Sequence, residues 1–422
     1  MALLPTNVAG GQTGHLSHSN QAYKKLNNAW VDAVADFAAV GDGAADDTTA
    51  VQNALNATPQ YGTCLMGRHK ITATLSLPRA MRLLGTEHDS GLYASGSNFW
   101  FFDPTGYDYL EAENLTFDGN YPTRTSGTGF ALSGFTNVTF RNCAFKNIPE
   151  HGITLTNCQH VRIKDCVFDN LKTAGVYVLD PGAGNTSSDI WIEDNFFNNC
   201  QAGRTAGNAA IQTFGTAVGT ITRLHILRNR IKIPGLDGVG IGLDYAEHSD
   251  IVGNKVEGAI PHSPDGNGEN IVATGRFNKV LDNEVWNAGG SSGIMTFCLT
   301  GKRDGEGTMI RGNHCWDCNG AGIVVTSWSD NLALKDFDIS HNRCWNTGVR
   351  TGGDAQDLGF QEYWGAGVTT GVTWAGSRLA HNDFRGNTNP SGYLLASPSS
   401  GLLRVANILT GTTMDFATAS MT

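Results

Sequence analysis

Charge is scarce in this 422-residue chain, at 16% Asp, Glu, Lys and Arg. Basic charge is scarcer still: 29 Lys and Arg face 39 Asp and Glu, a formal net charge of −10. That balance excludes a nucleic-acid partner, which calls for a basic surface. It leaves a polysaccharide partner open, because a local basic groove can sit on an acidic protein. No apolar run approaches the roughly 18 residues of a membrane span. The Met1–Thr6 start has neither a charged opening nor a long apolar core, so it does not read as a secretory signal. The nine cysteines are an odd number scattered through strand-like segments, which argues against a disulfide framework and for thiols buried as small hydrophobes.

What the chain has in abundance is glycine, 53 residues, together with Asn-rich turns. Both suit many short strands joined by tight turns. Val34–Val40 reads as a short apolar strand, Gly41-Asp42-Gly43 as a turn needing positive φ, and the following segment as a helix. Asp46 or Asp47 can cap that helix, and Ala50, Val51, Ala54 and Leu55 give it one apolar stripe. The pattern Val34-Ala35-Asp36-Phe37-Ala38-Ala39, then Gly41-Asp42-Gly43 and Asp46-Asp47-Thr48, resembles the entry signature of the pectate-lyase-like superfamily. Ala38 stands where that family has Gly, and Val51 where it often has Ile. The resemblance implies a right-handed parallel β-helix with an N-terminal capping helix. It does not fix chemistry, since the superfamily includes hydrolases, lyases, epimerases and phage tailspike depolymerases.

From residue 109 a repeat can be counted. Blocks such as Val138–Cys143, Ile190–Asn195 and Leu224–Asn229 end on a shared Asn or Cys. The column is Asn120, Cys143, Cys166, Asn195, Asn229, Asn254, Asn283, Asn313, Asn342 and Asn382. Two positions on, Phe145, Phe168, Phe197, Ile231, Val256, Val285, Cys315, Cys344 and Phe384 form a second column. Such a period marks a solenoid, here of about ten or more coils, whose stacked coils share one core. Repeated Asn side chains can bond to one another from coil to coil, with the apolar column inside. Cys315 belongs to that apolar stack, so Cys315-Trp316-Asp317-Cys318 is not a zinc site, and no metal or cofactor is expected.

A further strand, usually opened by Gly, recurs in each coil. Alternation sends Ile153, Val176, Val239, Ile241, Ile294 and Ile323 inward, and Thr154, Tyr177, Gln212, Asp244, Met295, Phe297 and Thr326 outward. That outward face can bind a linear polymer. Acids fall on it at Asp244, with Gly240 and Gly242 clearing space, at Asp237 before it, and at Glu269 one coil later. Glycosidases use two carboxylates, so Asp244, Glu269 and Asp237 are the catalytic candidates. Tyr177, Gln212, Glu247, His151, Trp328 and Trp364 are the substrate-binding candidates, the aromatics because flat rings suit sugar C–H faces.

A lyase or C5-epimerase reading uses Tyr177 and His151 as proton-transfer groups, with Glu150 and with Lys172 or Arg204 nearby. Tyr177-Val178-Leu179-Asp180-Pro181 resembles the Tyr-Gly-Phe-Asp-Pro-His motif of alginate C5-epimerases, but Gly182 replaces its catalytic His. A third reading is a non-catalytic glycan-binding or adhesion solenoid.

The organisation expected is a polar lead-in at 1–33, a catalytic β-helix at 34–387 and a terminal cap or assembly segment at 388–422. Leu16, Tyr23, Leu26 and Trp30 suggest a short helix in the lead-in, similar to that of phage tail fibre proteins; a helix lying on the solenoid fits the residues equally. The leading reading is an endo-acting glycoside hydrolase of the phage tailspike kind. That resemblance implies a homotrimer, with an extracellular or virion-associated location.

Overall fold

A computed structural model describes residues 30–408, apart from 97, 103–105, 183, 201–208, 216–218, 234–237, 259–268, 289–291, 299–305, 319, 328–332, 348–359, 365–372, 388–392 and 395–401, and a short strand at 414–415. Parallel strands stack in three long sheets, of 15, 12 and 10 strands. The chain visits them in rotation. A coil runs, for example, through Val138–Arg141 in the first sheet, Ala144–Lys146 in the second and Ile153–Thr156 in the third. Each strand pairs in register with its counterpart one coil away, so Ile153 lies beside Phe130 and Val176. No helix among the described residues is long and apolar enough to cross a membrane.

The inward columns form one continuous core. Phe117, Phe145, Phe168 and Phe197 stack at 5.2, 4.9 and 4.6 Å, and all four are fully buried. The glycines opening the third-sheet strands belong to this packing: a Cβ on Gly175 would lie 2.6 Å from the Phe197 ring. The eight described cysteines are free and buried, and no cluster of three potential metal ligands occurs among the described residues.

The corner between first and second sheets carries the Asn ladder. Each backbone N–H of Asn195, Asn229, Asn254, Asn283, Asn313 and Asn342 donates to the Oδ1 of the next Asn at 2.9–3.0 Å. The Nδ2 of Asn283 donates to the same Asn313 oxygen and back to Ile251 O, and its neighbours repeat the pattern. The residue before the ladder position has positive φ, whether Asp194 (58°), Arg228 (53°) or His341 (58°). The two-residue bend therefore overrides the reluctance of Arg and His for the left-handed region.

Two assignments along this ladder are corrected. Asn120 is not a member: Ala144 pairs with Thr116, which puts Leu115 opposite Cys143, while Asn120 is exposed at φ 60°. The block Leu115–Asn120 imitates the repeat, but the strand Leu110–Glu113 occupies the place of Val138–Arg141. The ladder also runs past residue 387, since Asn382 donates to Asn407 and Leu403–Val405 pairs with Arg378–Ala380.

The entry segment differs from its expected form. Ala33–Phe37 is a short helix capped by Asp32, and the strand is Asp42–Asp46. Gly41 and Gly43 do take positive φ, 72° and 70°. The helix Thr48–Ala57 buries Val51, Ala54 and Leu55. Asp46, not Asp47, accepts the Thr48 N–H. The buried Asp47 carboxylate instead accepts from Val40 N, Gly41 N and His69 Nδ1, at 2.7, 3.0 and 2.8 Å. His69 Nε2 accepts from Gly67 N, so the ring holds turn and strand together.

Candidate functional site

Strand register lays the outer face of the third sheet out as a grid. One outward column is Thr154, Tyr177, Gln212, Gly242, Val272, Met295 and Val324. Two residues further along each strand, a second column begins with Thr156, Leu179 and Phe214. The register of Gln212 with Gly242 carries that column on to Asp244, which stands just past the end of Val239–Leu243.

Asp244 is firmly placed. Thr213 Oγ1 donates to Asp244 O at 2.9 Å and accepts from Asp244 N. On the other side Thr274 Oγ1 donates to Leu243 O at 2.7 Å and reaches the Asp244 carboxylate at 3.3 Å. Gly242 leaves the outward position beside it without a side chain. Gly240 does not: its Cβ would point inward, 2.4 Å from Val256. That inward glycine turns Val239 the other way, against the expected alternation, and Val239 lies 3.8 Å from where a Gly242 Cβ would be.

His151 and Tyr177 meet across adjacent coils, with ring centroids 4.4 Å apart and planes at 18°. Thr173 Oγ1 lies 2.9 Å from His151 Nδ1. Burial pushes the His151 imidazolium down to about 4, so the ring is neutral near pH 7. Burial, and then the charge of Asp244, raise the Tyr177 phenol above its ordinary range, which keeps it protonated. Gln212, between these groups and Gly242, accepts the Ala209 N–H through Oε1 at 3.2 Å.

The remaining candidates fall elsewhere. Glu269 precedes Ile271–Ala273 and is buried at 9% exposure. Because Ile271 pairs with Ile241, Glu269 stands level with Val239, five residues from Asp244. At roughly 3.3 Å per residue that is about 17 Å along the strand. Glu247 sits round the corner in Ala246–Glu247, which pairs with the first sheet, and its Oε1 is 3.9 Å from Arg276 Nε. Asp237, Trp328 and Arg204 lie outside the described residues, as does the side chain of Trp364, whose backbone forms the end of Phe360–Trp364. The same holds for the side chains of Phe297 and Thr326. Met295 is outward as expected, yet it is buried in a small cluster with Ala321 and Val324. Lys172 Nζ donates to Thr125 O at 3.2 Å, and Glu150 accepts from Thr128 Oγ1 at 3.1 Å.

One residue was overlooked. Phe214, next to Asp244 in its column, is 47% exposed. Its position could have been read from the spacing that placed Asp244; its exposure could not.

A family model described as "Right handed beta helix region" matches residues 90–189. The chain is a right-handed parallel β-helix. Solved structures agree: the A-module of Azotobacter vinelandii mannuronan C-5 epimerase AlgE6 superposes with a TM-score of 0.57 at 16% identity, over 89% of this chain and 99% of that one. PfbA, a surface adhesin of Streptococcus pneumoniae, gives 0.54 at 14% identity, over 89% and 90%. Bacteriophage CBA120 tailspike protein 3 gives 0.51 at 16% identity over 94% of this chain, which spans 64% of the tailspike. No curated protein sequence matches the chain.

Proposed function

We propose that this β-helix binds a polysaccharide along the outer face of its third sheet and hydrolyses it there, with Asp244 as the carboxylate at the bond that breaks. The observation that carries this reading is the placement of Asp244. The Leu243–Asp244 segment is held from both neighbouring coils, and the Asp244 carboxylate stands in the outward column beside Phe214, with Ala209 and Val239 packed 3.1 and 3.8 Å from where a Gly242 Cβ would lie. Tyr177, Gln212 and His151 extend the same face as neutral hydrogen-bonding and stacking groups. Hydrolysis calls for a second carboxylate within about 10 Å. Glu269, about 17 Å away along the strand, does not meet that requirement as placed. Asp237, seven residues before Asp244 in the same segment, is no nearer by that spacing, so the proposal rests on Asp244 alone.

The lyase or epimerase reading comes second. The contact between His151 and Tyr177 favours it, because a neutral imidazole can take a proton and a protonated phenol can give one. A uronate substrate also needs its carboxylate neutralised. Among the described residues, none of the outward positions on this face is Lys or Arg. AlgE6 is named for acting on mannuronan, a uronate polymer; the described face here lacks the matching cation.

The likeness to a tailspike and to a surface adhesin supports a virion-associated or extracellular setting. The deciding experiment is a panel of polysaccharides with mass-resolved products for the wild type and Asp244→Asn. Hydrolysis leaves saturated ends and is lost in Asp244→Asn. Unsaturated uronyl ends would replace this reading with the lyase one, and binding without any product would leave the adhesion reading.

A further inference from the structure

We propose that Phe214 is the stacking platform for the sugar ring that lies against Asp244, and that this ring is uncharged. The proposal rests on the polysaccharide reading above and names the substrate class of that site.

A single exposed apolar side chain is ordinary on a protein surface. Phe214 is distinguished by its neighbours. It lies between Leu179 and Asp244 in one outward column, with strands about 4.8 Å apart. Thr213, the residue before it, bonds both backbone polar groups of Asp244, so ring and carboxylate are locked in register. On the other side, Asp180 N donates to Phe214 O at 2.8 Å and ties the strand to the coil below. The adjoining column offers Gln212 and then Gly242, over which Ala209 and Val239 pack. A pyranose laid on Phe214 therefore meets an apolar plane below, a carboxylate at one edge and an amide at the other. Aromatic faces accept the C–H face of a sugar, and carboxylates and amides accept its hydroxyls.

The charge of the ring follows from the same neighbours. Asp244 lies on this face, His151 is neutral near pH 7, and no Lys or Arg occupies a described outward position to balance a uronate. A carboxylate on the sugar would face Asp244 in a partly desolvated place, where like charges repel most. Hexoses, deoxyhexoses and N-acetylhexosamines escape that cost.

The test is affinity electrophoresis of the full chain, the wild type in parallel with Asp244→Asn, through gels containing dextran, galactomannan, alginate or polygalacturonate. A neutral polymer is expected to retard Asp244→Asn. Adding Phe214→Ala should weaken that retardation about tenfold, while Phe214→Tyr should keep it. Equal retardation of the Phe214→Ala variant would overturn the platform and leave the polysaccharide reading intact. Retardation of the wild type, with its Asp244 carboxylate in place, by the polyuronates alone would overturn the uncharged ring. If none of the four polymers retards the protein, the parent reading fails and takes the platform with it. Sedimentation of the same variants guards against another role: a changed oligomeric state with unchanged retardation would assign Phe214 to a subunit contact and overturn the proposal.

Discussion

The corner between the first and second sheets and the outer face of the third are products of one repeat, used in opposite ways. At the corner, the same side chain recurs from Asn195 to Asn407, each bonded to the next and each buried. On the face, the column reads Leu179, Phe214, Asp244, with a change of chemistry at every coil. Sameness at coil spacing is the mark of a residue that serves its own neighbours. Change at coil spacing, on a face held equally rigid, is what recognition of an external polymer calls for. Breaking the two regions should therefore give opposite results, a loss of stability in one and a loss of function in the other.

The largest stability effect is expected at the corner. Asn283→Leu removes the acceptor for Asn254 N and Nδ2 and the donor to Ile251 O, all in a buried place. Leaving such groups unpaired costs about 1–3 kcal/mol each, so a loss of about 3 kcal/mol or more is expected in a urea titration. A loss below about 1 kcal/mol would mean that water or relaxation replaces the ladder.

A smaller, pH-dependent effect is expected at the edge of the site. Folded His151 protonates near pH 4, while an unfolded histidine does so near 6.5. Between those values the unfolded chain binds more protons, so stability rises with pH through that window and falls on acidification. His151→Gln should flatten this part of the profile. An unchanged slope would show that the histidine is not buried as described.

The smallest effect belongs to the outer face of the first sheet. Arg223 holds the Asp189 carboxyl down to about 2, and their closest approach is 2.7 Å. The stabilisation is present above the ordinary carboxylate range and is lost as pH falls from about 4 towards 2. Because Arg223 is about half exposed, solvent screening keeps it slight. Arg223→Met should remove a shallow acid limb and leave stability at pH 7 nearly unchanged.

The corner was legible in the sequence and the face only partly so, for a physical reason. Identical side chains at a regular interval announce themselves, and the two misreadings arose where the repeat is imitated or irregular. Leu115-Thr116-Phe117-Asp118-Gly119-Asn120 has the right alternation and ends on Asn, but it straddles a bend. Leu403-Arg404-Val405-Ala406-Asn407 carries the true signal beyond the assumed boundary. On the face, alternation placed Tyr177, Gln212 and Asp244 correctly. It failed at Val239 because two successive positions, Gly240 and Ile241, both turn inward. The five-residue offset between Asp244 and Glu269 needs the strand register, which spacing alone does not supply. The pairing of Asp47 with His69, 22 residues apart, was equally hidden.

The central claim is that Asp244 performs chemistry on a bound polymer and is not a structural turn residue. Its direct test is product formation by wild type and Asp244→Asn, on a polysaccharide that the wild type cleaves, with thermal unfolding followed in parallel. The account predicts a loss of about 10²–10⁴-fold in cleavage rate with unchanged unfolding. Cleavage at the wild-type rate by Asp244→Asn, with the fold intact, would contradict it.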